Sequence, residues 1–290
     1  MIAGSLDLLH RARPVYVALA FVIYAISVPL VALRWRTVLG GLRREAPRVA
    51  LRPLVLASLA SSFVNNVTPA PVSGEACRVV ALTRLKLASL PQAVASIVFD
   101  RISEIPAVAV LALIAFVALG RIAPTWLLLA AAGTAGLVLF ARGAARRIWS
   151  AITSRWAAVD LVAVKPSALA AASCLSGAIW ILDVARLRAA SAAFHAPIGA
   201  AQAAALSAIT IVGGLVPTIG GLGAIEGGLV AGLIAFGASP SQAIAVTAVE
   251  RAISYGVATL AGFGALSVLG GRELWTAMAG RPAAVDGAAP

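Results

Sequence analysis

Apolar runs of about 20 residues, the length at which a helix crosses a ~30 Å hydrocarbon core, recur along this chain with short arginine-rich stretches between them. Val15 to Leu33 predicts a first span, closed by Arg34-Trp35-Arg36, an aromatic and two arginines suited to interface depth. Pro53 to Pro71 begins as an apolar helix and runs into Asn65-Asn66-Val67-Thr68-Pro69-Ala70-Pro71-Val72-Ser73-Gly74-Glu75, where prolines, asparagines and a glycine break it. Leu90 to Leu119 is long and apolar yet holds Asp100, Arg101 and Glu104. Pro124 to Ala141 predicts a plain span, and Ser167 to Leu187 another, with Trp180 and Asp183 inside it. Ala200 to Val216 leads into a second break, Pro217-Thr218-Ile219-Gly220-Gly221-Leu222-Gly223-Ala224-Ile225-Glu226-Gly227-Gly228. Gln242 to Leu269, carrying Glu250 and Arg251, closes the membrane part. The tail, 272–290, is rich in Ala, Gly and Pro and is expected to be disordered and cytoplasmic.

Composition removes the soluble alternatives. Hydrophobic residues make up 61% and charged ones 12%, against about 25% charged in an ordinary soluble domain. The net charge of +12 comes from arginines clustered between apolar runs, the pattern of cytoplasmic loops rather than of a nucleic-acid-binding module. Cys77 and Cys174 lack metal or redox spacing and read as small buried residues, and His10 and His195 are isolated. Neither a nucleophile elbow, a HExxH helix nor a P-loop is present. The chain is therefore expected not to be an enzyme and to need no cofactor or metal.

Loop charge constrains the first break. Arg34 to Arg52 carries six arginines, and Arg142 to Lys165 five basic residues. Both belong on the cytoplasmic side only if the segment from Pro53 dips in and returns through Val79 to Leu87. The cost is that Arg186 and Arg188 then lie outside. A full span with an amphipathic connector is the alternative.

The chain also repeats. A shift of 150 residues brings Pro91-Gln92-Ala93-Val94-Ala95 onto Ser241-Gln242-Ala243-Ile244-Ala245 and Asp100-Arg101 onto Glu250-Arg251. The two breaks correspond as well, Pro69 and Glu75 with Pro217 and Glu226. The expected fold is all-α, a polytopic membrane helix bundle of about 7–8 segments, residues 1–271, whose half repeats (about 53–119 and 200–269) form an inverted repeat of two re-entrant or broken hairpins. Interrupted segments at matching positions of inverted halves point to a transporter's binding site.

A carboxylate in mid-span costs about 2.5 to 3.5 kcal/mol on insertion scales and should face a partner or a wet cavity. Glu75, Asp100, Glu104, Asp183, Glu226 and Glu250 all fall in or near membrane segments. Asp100 and Glu104 share a helix face, whereas Arg101 points about 100° away and needs a partner on another element. Pseudo-symmetry suggests pairing across the repeats, Arg101 with Glu226 and Arg251 with Glu75. Broken helices present free N–H groups to an anion, and Gly220, Gly221 and Gly223 would let a phosphate approach the backbone. The carboxylates suit a cationic headgroup or protons equally. Glu75, Asp100, Arg101, Glu226, Glu250 and Arg251 are the expected polar lining.

Arg34-Trp35-Arg36 with Leu39, Phe63 through Asn66 to Pro69, Gly74-Glu75, Arg78, Asp100-Arg101, Gly220-Gly221-Leu222-Gly223, Glu226-Gly227-Gly228, Gly237 and Glu250-Arg251 together resemble the lysylphosphatidylglycerol synthase transmembrane family of flippase-like proteins. The resemblance spans about residues 30 to 270. It implies a multi-pass domain of the cell's inner membrane that moves lipids between leaflets: aminoacylated phosphatidylglycerol where a synthetase domain is fused, other lipids or lipid-linked precursors in free-standing members. This chain shows no synthetase domain, so a phospholipid or lipid-linked precursor is the expected substrate, with a lipid-modifying enzyme as candidate partner. Free-standing members also include proteins associated with hopanoid pathways and polyprenyl-linked sugars, which leaves a membrane enzyme or assembly factor as the second reading. Two departures stand out: many members have a further span before Arg34-Trp35-Arg36, and Val72-Ser73-Gly74-Glu75 replaces a more usual Gly-Gly pair.

Overall fold

A computed structural model describes residues 8, 10–42, 49–69, 73–118, 164–214, 216 and 218–270. The span expected over 124–141, nearly all of the basic loop over 142–165 and the tail at 272–290 lie outside them. Every regular element among the described residues is helical.

Helix α1 (Pro14–Leu42) and helix α5 (Pro166–Ala192) are long and apolar enough to cross a membrane, as is the continuous helical stretch Pro240–Val268. Their large apolar side chains, among them Val15, Phe21, Ile181, Leu260 and Phe263, lie on the outside. Water would penalise such a surface, whereas lipid tails solvate it, and a helix satisfies its own backbone there. The chain is a helical membrane bundle.

Helices α1 and α5 lie antiparallel along their whole length. At one end Arg13 N–H donates to the Ala193 carbonyl at 3.0 Å, and at the other Lys165 N–H donates to the Gly41 carbonyl at 3.3 Å. A Cβ on Gly41 would sit 2.6 Å from the Ala168 Cβ, so this close approach requires glycine.

Each long helix is followed by a helical hairpin. Helices α2 (Leu51–Val67) and α3 (Ser73–Arg84) form the first hairpin. Leu54 near the start of α2 and Leu82 near the end of α3 share a cluster with Leu39 near the end of α1, so the hairpin returns to the end it left. Helices α6 (Ala200–Gly214) and α7 (Ala224–Ala235), joined through a 3-10 turn (Ile219–Gly221), repeat the arrangement. Ala203, Leu233 and Phe194 gather at the end of α5. Because α1 and α5 are antiparallel, the two hairpins enter the bundle from opposite ends.

The last element of each half is a 29-residue helical stretch: helix α4 (Leu90–Ala118), and helix α8 (Pro240–Arg251) continued by a π turn (Ala252–Val257) into helix α9 (Ala258–Val268). Both start with the same Ser-x-x-Gln device, in which the Gln side chain accepts from the N–H of Ser89 (3.2 Å) or Ser239 (2.9 Å). The helical ladder is disturbed at equivalent places, by Pro106 in α4 and by the π turn around Gly256. Helix α2 packs on α9, and α6 packs on α4, so each hairpin leans on the closing helix of the other half.

Candidate functional site

The hairpin tips meet. Tyr255 in the π turn donates its hydroxyl proton to the Asn66 carbonyl at 2.9 Å, and Asn66 Nδ2 donates to Thr259 Oγ1 at 2.8 Å. A Cβ on Gly220 would lie 3.3 Å from Asn66 Cα, and Gly220, Gly221 and Gly223 all have φ between 59° and 86°, a region natural to glycine. Each tip is capped from within its own half: Asn65 Oδ1 accepts from Gly74 N–H at 2.7 Å, and Glu226 Oε2 accepts from Gly223 N–H at 2.6 Å. The carboxylate of Glu226 thus takes the place at the start of α7 that an outside anion would seek.

The charged residues form two networks, one per half. In the first, Arg34 of α1 grips Asp100 with two bonds, Nε to Oδ1 at 2.9 Å and Nη2 to Oδ2 at 3.1 Å, and also pairs with Glu104. Arg78 of α3 donates from Nη1 to Asp100 Oδ2 at 3.0 Å, and Arg101 pairs with Glu75 and Glu104. In the second, Arg186 of α5 grips Glu250 through Nε (3.1 Å) and Nη2 (2.7 Å), with Asp183 one turn earlier as its other acid. Arg251 pairs with Glu226 at 2.6 Å and donates from Nη2 to the Gly220 carbonyl at 3.0 Å. Forked arginine–carboxylate pairs of this kind are the strong ones.

Four sequence expectations need correction. Arg101 and Arg251 pair inside their own halves, with Glu75 and Glu226, and not across the repeat, because each hairpin's second arm packs beside the closing helix of its own half. Arg34 and Trp35 are not exposed anchors at the close of the first span: α1 continues to Leu42, and both side chains are buried, Trp35 donating from Nε1 to Ser96 Oγ at 3.0 Å. Arg186, expected to lie outside as an isolated basic residue, is within helix α5 and held by Glu250 and Asp183. Cys77 is buried as expected, whereas Cys174 is exposed; both are free thiols.

A cavity of about 260 Å³ opens beside the first network. Arg34, Arg78, Arg101 and Glu104 reach it, with hydroxyls from Ser58, Ser61 and Ser62, while Tyr24 of α1 and Trp180 of α5 form its aromatic side. Asp100 is fully buried behind Arg34 and Arg78, so the wall shows more positive than negative charge. Of the expected site residues Arg101 lies on this wall, and Asp100 and Glu75 hold the wall's arginines. Glu250 and Arg251 belong to the second network with Glu226, and Gly220, Gly221 and Gly223 to the tip contact. Sequence reasoning left Arg34 and Arg78 outside the site. The run Trp35, Val38, Leu39, Leu42, buried at helical spacing, is the signal that α1 goes on inward past Arg34.

The two networks are related as whole halves. Arg34 Nη1 donates to Ser176 of α5 at 3.3 Å, and Arg186 lies over the ring of Tyr24 of α1 at 5.9 Å. The arginine-bearing helices α1 and α5 are therefore part of the repeat, which extends upstream of the two hairpins.

Comparison with known proteins agrees with this architecture. The family described as the lysylphosphatidylglycerol synthase TM region matches residues 3–262. A UPF0104 membrane protein of Methanothermobacter thermautotrophicus is 27% identical over 302 residues, covering 91% of this chain and 88% of that protein. A UPF0104 membrane protein of Pyrococcus horikoshii is 32% identical over 117 residues, covering 40% of this chain and 34% of that one. A match over nearly the whole length, on a bundle of helices with apolar exteriors, places this chain in the lysylphosphatidylglycerol synthase transmembrane-region family of membrane proteins.

Proposed function

We propose that this protein moves a phospholipid or lipid-linked precursor between the leaflets of the cell's inner membrane, as a transporter without catalytic activity of its own. The observation that carries this reading is the arginine-walled cavity inside a bundle whose outer surface is apolar. Charged side chains at membrane depth are expensive, and they mark a wet cavity or a substrate path. At about 260 Å³ the space is below the about 300–1,000 Å³ of a pocket that encloses a whole drug-sized ligand. It suits a headgroup, whose acyl chains stay in the bilayer alongside.

The antiparallel halves supply the route. Hairpins entering from opposite ends and meeting at their tips form re-entrant segments of an inverted repeat, the design in which one half rocks against the other around a fixed site. Tyr255, Asn66 and Gly220 then make the barrier between the two sides. A lipid-modifying enzyme that supplies the cargo is the natural partner.

Leaflet exchange tests the reading. The full chain is placed in liposomes with a fluorescent phospholipid confined to one leaflet, and exchange is followed by quenching from outside. Exchange faster than in protein-free liposomes, with the lipid chemically unchanged, is the expected result. An unchanged exchange rate, or a chemically altered lipid as the main outcome, would overturn it and favour an enzyme acting on polyprenyl-linked sugars or hopanoids.

A further inference from the structure

The pseudo-symmetry of the ion pairs fixes which residue of one half stands where in the other. Glu75 and Glu226 hold equivalent arginines, so Arg78, three residues on, corresponds to Leu229. Arg34 and Arg186 correspond, which places Trp35 opposite Leu187. The 150-residue offset of α4 and α8 places Ser96 opposite Val246. Gly74 of the first hairpin's second arm packs against Asn65 and Ser61 of its first arm, and its counterpart Ile225 packs against Gly213. The correspondence of Pro69 with Pro217, an offset of 148, selects Asn65 rather than Ser61 as the counterpart of Gly213 and hence sets Ser58 opposite Leu206.

The four first-half residues are one polar unit. Arg78 stacks on the Trp35 ring at 4.2 Å and reaches Ser58 Oγ at 3.5 Å, and Trp35 donates to Ser96. Their second-half counterparts, Leu187, Leu206, Leu229 and Val246, are all buried in a single apolar cluster. Every polar member has been exchanged for an aliphatic one, and the packing closes around them. The exchange is concerted, and it also alters charge: the first network sets three arginines against three carboxylates, the second two against three.

Arg78 is left short of partners. Only 3% of it is exposed, yet its Nε has no hydrogen-bond acceptor, and its contact with Ser58 is at the long limit. A buried guanidinium with spare donors is costly unless an acceptor arrives. It stands on the cavity wall, where a phosphate oxygen is the matching acceptor in charge and fork geometry.

We propose that Arg78 is the specificity-determining residue for an anionic, phosphate-bearing headgroup, and that this recognition belongs to the first half alone, the equivalent space in the second half being filled by Leu187, Leu206, Leu229 and Val246. The inference rests on the reading of the cavity as a headgroup site. Transport in an inverted repeat then turns around one off-axis site, with the second half acting as its rigid counterpart.

The test is thermal unfolding of the full chain in detergent, titrated with dihexanoylphosphatidylglycerol, with dihexanoylglycerol, which has the same chains and no phosphate, and with inorganic phosphate. A ligand that binds the folded state raises the midpoint. The wild type is expected to respond to the phosphatidylglycerol and not to dihexanoylglycerol, and Arg78→Gln to weaken the apparent affinity at least tenfold. Ser58→Leu, which installs the second-half residue without touching an ion pair, is expected to do the same should Arg78→Gln fail to fold. Leu229→Ala is expected to retain the wild-type response. Undiminished response in both Arg78→Gln and Ser58→Leu, or loss of response in a folded Leu229→Ala, overturns the proposal. An equal response to inorganic phosphate overturns the assignment to a lipid headgroup. The predicted pattern in a protein that does not accelerate leaflet exchange supports the site and contradicts the transport reading.

Discussion

Arg34 and Asp100, 66 positions apart, are joined by two parallel hydrogen bonds at 2.9 and 3.1 Å, and both are buried. Asp100 also accepts from Arg78, so one carboxylate bonds two arginines from two different helices. Removing one member of a buried pair leaves an uncompensated charge and costs about 3–5 kcal/mol. Asp100→Asn is expected to destabilise the protein by that order, seen as a lower unfolding midpoint in detergent. Glu250→Gln is expected to cost less, because Arg186 keeps Asp183, whereas loss of Asp100 leaves Arg34 with Glu104 but Arg78 with no other ion pair among the described residues. Equal effects would show that Asp100 does not hold both arginines.

Pairing within halves has its own signature. Arg251→Ala and Glu226→Ala, combined, are expected to couple by about 0.5–3 kcal/mol in a double-mutant cycle on stability. The cross-repeat combination Arg251→Ala with Glu75→Ala is expected to be additive within about 0.5 kcal/mol. Coupling across the repeat with none inside the half would contradict the ion-pair arrangement.

What the sequence revealed, and what it hid, follows from the range of each interaction. Asp100 and Glu104, four apart, were readable as sharing a helix face, and both do reach Arg34. That the chain breaks between the two arms of each hairpin was readable from Gly, Pro and Asn, although helix α2 runs on through Asn65-Asn66 to Val67 before it ends, and the 150-residue offset of the acid-arginine pairs was visible as text. Partner choice was not readable. Arg101 with Glu75 or with Glu226 satisfies the same charge rule, and only the packing of α3 on α4 decides between them. Arg34 was hidden because an arginine beside a tryptophan at the end of an apolar run has the composition of an interface anchor. The divergence at Arg78 and Leu229, three residues past the matched Glu75 and Glu226, can be read off the aligned halves, but that Arg78 lines a cavity while Leu229 fills an apolar cluster needs the structure.

The tip contact should be sensitive to small changes. Gly220 has φ 59° and faces the Tyr255 ring and Asn66. Placing a side chain in this left-handed conformation costs about 1–3 kcal/mol. Gly220→Ala is expected to lower stability by that order, and Tyr255→Phe, which deletes the proton donated to the Asn66 carbonyl, by about 1 kcal/mol. Denaturation of both variants in the same detergent checks this; a silent Gly220→Ala would mean that the tips are not packed together.

The first-half cavity is the proposed path of the lipid. Ser62 lies on its wall, and its hydroxyl donates back to the Ser58 carbonyl at 3.1 Å without joining an ion pair. The most direct measurement is leaflet exchange of labelled phosphatidylglycerol in liposomes carrying the wild type or Ser62→Trp, a substitution that fills the cavity and leaves both ion networks in place. The wild type is expected to exchange lipid well above the protein-free rate, and Ser62→Trp to fall back to that rate. A wild type no faster than empty liposomes, or a Ser62→Trp protein as fast as the wild type, would contradict a lipid path through this cavity.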